Sequence, residues 1–336
     1  MRQARTARVR AAAVCVVGLI ALDRSASAQA VLPLKGEGNV TIAYQNILAD
    51  GHLLGDGERA SGANAHDAVR SDTWTSEVEF GITDKLALSL SLPVVAGRYE
   101  GGAPHVIGVS GLPTTIDDGT YHGGFQDFRF GARMNVASGP LIVTPFVDAI
   151  IPSHHYESRG HSVIGLDMRA LVLGTSLAMS FDPMIPHTYF QAQVSHAFVQ
   201  EVAGLRPNRD RMDLELGYFV TPRITLRFLE SLQITHNGIE FQQPGQTREV
   251  SLNHDRLQMY NFLNLGGGFG FTISESLDVF AAVSSLVWGQ NVHPHRGIGV
   301  GINWHFRTGP ALWQPKDPGR EDARATRRGP APSALF

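Results

Sequence analysis

The chain has 336 residues, 43% of them hydrophobic, 18% charged and 36 of them glycine, with a formal net charge of −3. A charged fraction below the roughly 25% usual for soluble domains, combined with abundant glycine, points to strands and turns rather than helices. A helical membrane protein needs spans of about 20 apolar residues, which only the extreme N-terminus approaches, and a disordered chain would be more charged or less apolar.

Residues 1–28 read as an export signal. Arg2, Arg5, Arg8 and Arg10 precede an apolar run from Ala11 to Leu22, and Ala26-Ser27-Ala28 offers small residues for cleavage. The only cysteine, Cys15, lies inside the apolar run, so the mature chain is expected to carry no thiol, disulfide or cysteine-bound metal. Without the signal, 23 basic residues face 30 acidic ones, a charge of −7 that makes nucleic acid an unexpected partner.

From residue 38 onward, apolar and polar residues alternate in segments of about ten to fifteen residues bounded by turn formers. The spacing predicts twelve strands: 38–48, 71–82, 85–97, 122–136, 140–151, 163–180, 186–200, 210–220, 223–235, 256–272, 276–288 and 296–306. Leu86, Leu88, Leu90 and Leu92 form one face of the third, with Ala87, Ser89 and Ser91 behind them. In the fourth, Phe128, Phe130, Ala132, Met134 and Val136 oppose Asp127, Arg129, Gly131, Arg133 and Asn135.

Short connections follow every even strand and longer ones follow the odd strands, at 49–70, 98–121, 152–162, 201–209, 236–255 and 289–295. An up-and-down antiparallel transmembrane β-barrel of about twelve strands sorts its loops this way, with tight periplasmic turns and larger external loops. A secreted β-sandwich or propeller has no reason to. Closure also removes sheet edges that lipid cannot satisfy. The barrel is therefore expected to span 29–306, in the outer membrane of a Gram-negative bacterium, with outer-membrane lipid and the barrel assembly machinery as partners.

The last strand runs from Gly297 to Phe306, with Ile298, Val300, Ile302, Trp304 and Phe306 on its lipid face. It looks like the terminal assembly signal of such barrels, except that thirty residues follow. That tail, 307–336, is rich in Pro, Arg and Ala and is expected to be a disordered periplasmic extension.

Two stretches resemble a known family. Ser76 to Tyr99 (SEVEFGITDKLALSLSLPVVAGRY) joins a strand, a Gly-Ile-Thr-Asp turn and a leucine-alternating strand ending in Leu-Pro; Gly124 to Pro152 (GFQDFRFGARMNVASGPLIVTPFVDAIIP) is similar to the hairpin that follows it. Both resemble the outer-membrane channels associated with meta-pathway phenol degradation, and together they cover about a sixth of the chain. The resemblance implies a channel or transporter for aromatic or other hydrophobic compounds, with no catalytic residues to carry over.

Strict alternation places Glu77, Glu79, Asp127, Arg129, Arg133, Asp148, Asp167, Arg169, Asp213, Glu215 and Arg227 in the lumen as channel-lining residues. Acids and bases interleave, so cross-strand salt bridges are expected to narrow or brace the interior; a purely stabilising network and a selectivity role stand as equal readings. Phe146, Tyr189, Tyr260 and Phe262 are inward aromatic candidates, as a path for an apolar solute or as packing. Glu230 falls on the lipid parity of 223–235, and a β-bulge between Phe228 and Leu232 is expected to return it to the interior. The sharper alternative is a lateral exit lined by Glu230.

Eleven of 14 histidines fall in or beside the long connections. Groups such as His154, His155 and His161, or His293 and His295, have the chemistry to bind a divalent transition metal, but without cysteine or tight helical spacing solvated loop histidines are the plainer expectation, and no metal or cofactor is assigned. Hydrolysis needs a Ser and a His on one face: Ser195 and His196 have opposite parity, and Ser153 and His155 lie in a loop, so no catalytic residue is assigned. An adhesion or scaffolding platform is the third reading. Val106, Ile107, Val109 and Leu112 make the second long loop apolar enough to fold inward as a constriction. The sequence-level conclusion is a passive channel for a small-molecule solute, with adhesion platform or lipid hydrolase as alternatives.

Overall fold

The computed structural model describes residues 30–60, 68–101, 106–107, 112–113, 115–240 and 245–308. The expected signal and all but the first two residues of the expected tail lie outside them. Twelve strands form the wall: β1 (Glu37–Asp50), β2 (Ala68–Thr83), β3 (Leu86–Tyr99), β4 (Tyr121–Phe125 continuing as Asp127–Met134), β5 (Leu141–Pro152), β6 (Ala170–Ser180), β7 (Thr188–Val199), β8 (Asn208–Thr221), β9 (Ile224–His236), β10 (Asn261–Ser274), β11 (Leu277–Gln290) and β12 (His295–Arg307). Each pairs antiparallel with its neighbours in sequence, and β1 pairs with β12 from Glu37↔Arg307 to Ala49↔His295, so the sheet closes on itself.

Alternation then sorts the residues by face. In β9, Leu226 and Phe228 are 51% and 47% exposed while Arg227 between them is 5% exposed. The same inversion holds at Ile298, Val300, Ile302 and Trp304 of β12, all outward and exposed. An apolar exterior around a polar interior is the reverse of a water-soluble sandwich.

Two of the tight turns share a local device. The Thr83 hydroxyl accepts from the amides of Lys85 and Leu86 at 3.1 and 3.0 Å, and Thr221 does the same for Arg223 and Ile224 at 3.2 and 3.0 Å. A side-chain oxygen thus replaces the ladder where two residues must reverse the chain. In both hairpins the register shifts by one residue at that point.

Two expected elements change. Residues 163–169 do not extend β6 but belong to the preceding loop, where Asp167 adopts a left-handed backbone conformation (φ 49°) that ends any strand. Residues 256–260 are not part of β10: a short helix α1 (Arg248–Leu252), capped by the Thr247 side chain on the Val250 amide, leads into α2 (His254–Leu257).

The bulge expected at Glu230 is absent: pairing runs unbroken through Leu214↔Glu230 and Glu230↔Leu265, which leaves Glu230 on the outer face. An extra residue is instead inserted at Gln126. Between Val94↔Phe125 and Ser91↔Arg129, β3 advances three residues and β4 four. Pro93 sits opposite the insertion, lacks an N–H, and accepts from the Gln126 amide at 3.0 Å.

Candidate functional site

The interior is organised in three levels. At the end bearing the tight turns, residues 30–36 turn into the barrel instead of leaving it. The carbonyl of Ala30, which is fully buried, accepts from the Thr144 hydroxyl of β5 at 2.7 Å, and the Gly36 amide donates to the Gly81 carbonyl of β2 at 2.9 Å. A Cβ at Gly81 would lie 2.3 Å from the Leu34 carbonyl oxygen, so glycine is what lets this segment lie against the wall.

Above it, rings lie flat across glycines of adjacent strands. A Cβ at Gly217 would meet the Tyr189 ring at 1.9 Å, one at Gly301 the Phe280 ring at 2.3 Å, and one at Gly174 the Phe146 ring at 2.4 Å. Phe280 packs with Ala43, Leu229 and Ala282, contributed by β1, β9 and β11, which narrows the bore at this height.

Charged groups brace the wall around these rings. Arg227 lies 3.6 Å from Glu215, which also accepts the Tyr189 hydroxyl; Arg133 lies 3.9 Å from Glu79 and 5.5 Å from the Phe146 ring centroid. Nearer the long loops, the Arg211 Nε donates to both carboxylate oxygens of Asp213 at 3.0 Å, and the Ser231 hydroxyl donates to Asp213 at 2.7 Å. All of these charged groups are buried. Asp213 and Glu215 each have a guanidinium and a hydroxyl partner, as burial requires, while Glu79 faces Arg133 at 3.9 Å.

Of the eleven sequence candidates, Glu79, Arg133, Asp148, Asp213, Glu215 and Arg227 are buried on the inner face, and Glu77, Asp127 and Arg129 are half-buried on it. Asp167 and Arg169 are not on the wall, because 163–169 is loop; Arg169 is exposed. Phe146, Tyr189 and Phe262 are buried inside, whereas Tyr260 lies in the loop before β10. Arg211 was legible from its parity with Asp213 but did not stand out in the sequence. Arg209, Gln193 and Gln233 also face inward, and Gln193 accepts the Ser176 hydroxyl at 3.1 Å.

The third level is a cap. The long loop 153–169 folds inward: a Cβ at Gly97 on β3 would lie 2.5 Å from the Ser162 carbonyl oxygen. Asp117, fully buried, accepts from the amides of His161 and Ser162 at about 2.9 Å and from the Ser162 hydroxyl at 2.8 Å. Burial alone would raise the Asp117 carboxyl, but the His161 imidazole and these amides outweigh it and hold it well below the usual carboxylate range. Asp255 of α2 receives the Gly160 amide at 2.9 Å. Burial works against a charge on His254, yet the Asp255 carboxylate 3.0 Å away lifts its pKa to about 9.

Under this cap lies a cavity of about 40 Å³ whose lining includes the apolar Ile150, Leu166, Met168 and Val172 and the cationic Arg129 and Arg211. That is room for a few waters at most. The constriction expected from the second long loop falls largely on residues outside those described: Val106–Ile107 and Leu112–Pro113 pair antiparallel, and Val109 is not described.

The Ser153 hydroxyl donates to the Phe125 carbonyl at 2.8 Å and lies 2.8 Å from the Nδ1 of His154, while His155 faces Asp167 at 3.2 Å. Ser153 and His155, to which no catalytic role is assigned, thus have other partners than each other. Nor are the loop histidines uniformly solvated: His154 and His155 are exposed, but His52 is buried and the His161 side chain is 4% exposed.

A closed twelve-stranded antiparallel sheet with apolar outer and ionic inner faces defines the fold of an outer-membrane β-barrel. Among solved structures, an outer membrane channel from Pseudomonas putida F1 is similar to this chain with a TM-score of 0.63 at 12% identity, covering 83% of this chain and 98% of the channel. The NanC porin (TM-score 0.45, 10% identity, 80% and 98% coverage) and the TodX monoaromatic hydrocarbon channel (0.42, 10%, 82% and 91%) overlap it less well. No protein-family model and no curated protein matches the sequence.

Proposed function

We propose that this chain is a passive channel of the Gram-negative outer membrane for small solutes with an apolar body, aromatic compounds being the class that the family resemblance of residues 76–99 and 124–152 favours. The observation that carries the reading is the content of the bore. A solute path needs a polar, fixed lining, and the buried ion pairs along the inner wall would supply one. The Arg211–Asp213 and Arg227–Glu215 pairs, with Glu79 and Arg133, would keep that lining rigid while presenting both signs of charge.

The cavity beneath the cap marks where a solute would first meet the inner wall. At about 40 Å³ it is too small for a ring while the cap is in place, but Ile150, Leu166, Met168 and Val172 together with Arg129 and Arg211 would offer apolar and cationic contacts to an amphipathic solute once the cap moves out. Passage requires the 153–169 loop to swing out and residues 30–36 to withdraw, so the arrangement described is the closed state of a gated path. Export and insertion would follow the signal at 1–28 and the barrel assembly machinery.

Reconstitution of the full chain into planar bilayers and liposomes tests this. Discrete conductance steps and solute-dependent swelling with benzoate or phenol are expected. Bilayers as silent as protein-free controls, with no swelling for any solute, would leave the channel reading without support.

A further inference from the structure

The three segments that meet above the bore each contribute one histidine to a single cluster. His52 leaves β1, His293 precedes β12, and His161 comes from the loop between β5 and β6, which arises on the far side of the ring. One ring nitrogen from each lies within 4.8 Å of the other two. The Nε2 atoms of His52 and His161 are 3.3 Å apart, and the ring centroids of His52 and His293 are separated by 3.9 Å. We propose that His52, His161 and His293 bind a divalent transition-metal ion of the zinc type, which clasps the inward loop across the mouth of the barrel.

The geometry supports a site rather than a chance encounter. Metal–nitrogen bonds of about 2.0–2.1 Å at tetrahedral angles place ligand nitrogens roughly 3.3–3.4 Å apart, which is the His52–His161 separation. The outer nitrogens are already engaged in the sense a metal needs. The His293 Nδ1 donates to the Gly51 carbonyl at 2.8 Å, and the His161 Nδ1 lies 3.3 Å from the Asp117 carboxylate. Each of these contacts fixes the tautomer that leaves Nε2 as the electron-pair donor. Asp117 is itself held by the His161 and Ser162 amides, and the Tyr99 ring stacks on His161 with centroids 5.5 Å apart. Two Nε2 atoms at contact distance share at most one proton between them; a cation satisfies both lone pairs. Three imidazoles leave a fourth position for water or a solute donor.

The loops are positioned for a clasp. The Leu53 amide donates to the Val292 carbonyl and the Asp50 amide to the Pro294 carbonyl, both at 2.8 Å, so His52 and His293 belong to one rigid rim. His161 alone reaches that rim from the opposite wall, and a shared ion would pin it there.

Calorimetric titration of the full chain without a histidine tag, in detergent micelles with Zn²⁺, gives the direct test; Co²⁺ absorption reports the coordination geometry. One ion per chain and tetrahedral-type cobalt bands are expected. His161→Ala should weaken binding by roughly 100-fold or more and Asp117→Asn by about 10- to 100-fold, while His154→Ala leaves it unchanged. Heat-modifiable gel mobility verifies that each variant is folded; if Asp117→Asn fails to fold, His52→Ala and His293→Ala carry the same comparison. Absence of binding to the native chain, or binding that survives loss of each of the three histidines, overturns the proposal. This readout does not depend on conductance, so it stands or falls separately from the channel reading.

Discussion

Asp213 accepts two bonds from Arg211 and one from Ser231 on the inner wall of the barrel, where all three side chains are buried. Removing one partner of such a pair leaves a buried charge uncompensated, whereas replacing both with apolar groups does not. Arg211→Met is expected to cost about 3–5 kcal/mol of stability, and adding Asp213→Leu to recover most of it. Urea unfolding in lipid vesicles measures both; equal loss in the single and double variants would show that the pair is not coupled. Glu230 presents the opposite case, a carboxylate on the outer face in register with Leu214 and Leu265. Glu230→Leu is expected to stabilise the barrel, on the order of 1 kcal/mol and less than the roughly 2–4 kcal/mol that Arg or Lys costs at the bilayer midplane. Solute flux should be unchanged, and a drop in flux would revive a lateral exit at this residue.

At the scale of elements, the cap depends on α2 through His254 and Asp255. The pKa of His254 is raised from 6.5 to about 9, because the carboxylate offsets burial. A raised pKa contributes stability that is complete below the unfolded value and lost as pH rises through the folded one. Hydrogen exchange of residues 153–169 and 248–257 is therefore expected to be slower at about pH 6 than at about pH 10 after correction for intrinsic rates. His254→Gln should flatten that difference. A cap equally protected at both pH values in the native chain would remove the pair from this role. The turns at Thr83 and Thr221, by contrast, rest on hydroxyls that do not titrate.

For the whole molecule, closure is the property on which the rest depends. Thr41 of β1 donates to Asn303 of β12 at 3.2 Å, across 262 residues of sequence. The sequence has no cysteine after Cys15, so Thr41→Cys with Asn303→Cys introduces the only pair of thiols beyond it. Directly opposed residues of adjacent strands lie within disulfide reach. Oxidation of the folded protein is expected to cross-link the pair and shift the boiled chain on a non-reducing gel. Failure to cross-link, with both thiols accessible to reagent, would contradict a β1–β12 seam.

The period-two pattern by itself determined the strands, their number, the side of each long loop and most of the inner wall, because a strand's alternating faces are a local property of the backbone. It placed Glu79, Asp213, Glu215 and Arg227 inside and Ile298 to Trp304 outside without any knowledge of partners. It also fixed the parity of Glu230, and the structure keeps that parity where a bulge was expected. The inserted residue falls at Gln126 because Pro93 on the neighbouring strand has no N–H to give, which no single segment reveals. That residues 30–36 enter the bore, that 153–169 folds in as a cap, and that His52, His161 and His293 meet follows from the folded ring alone. Those contacts join segments far apart in sequence, 44 residues between Asp117 and His161 and 109 between His52 and His161, and what brings them together is the closure of the ring, a fact with no local signature in the chain.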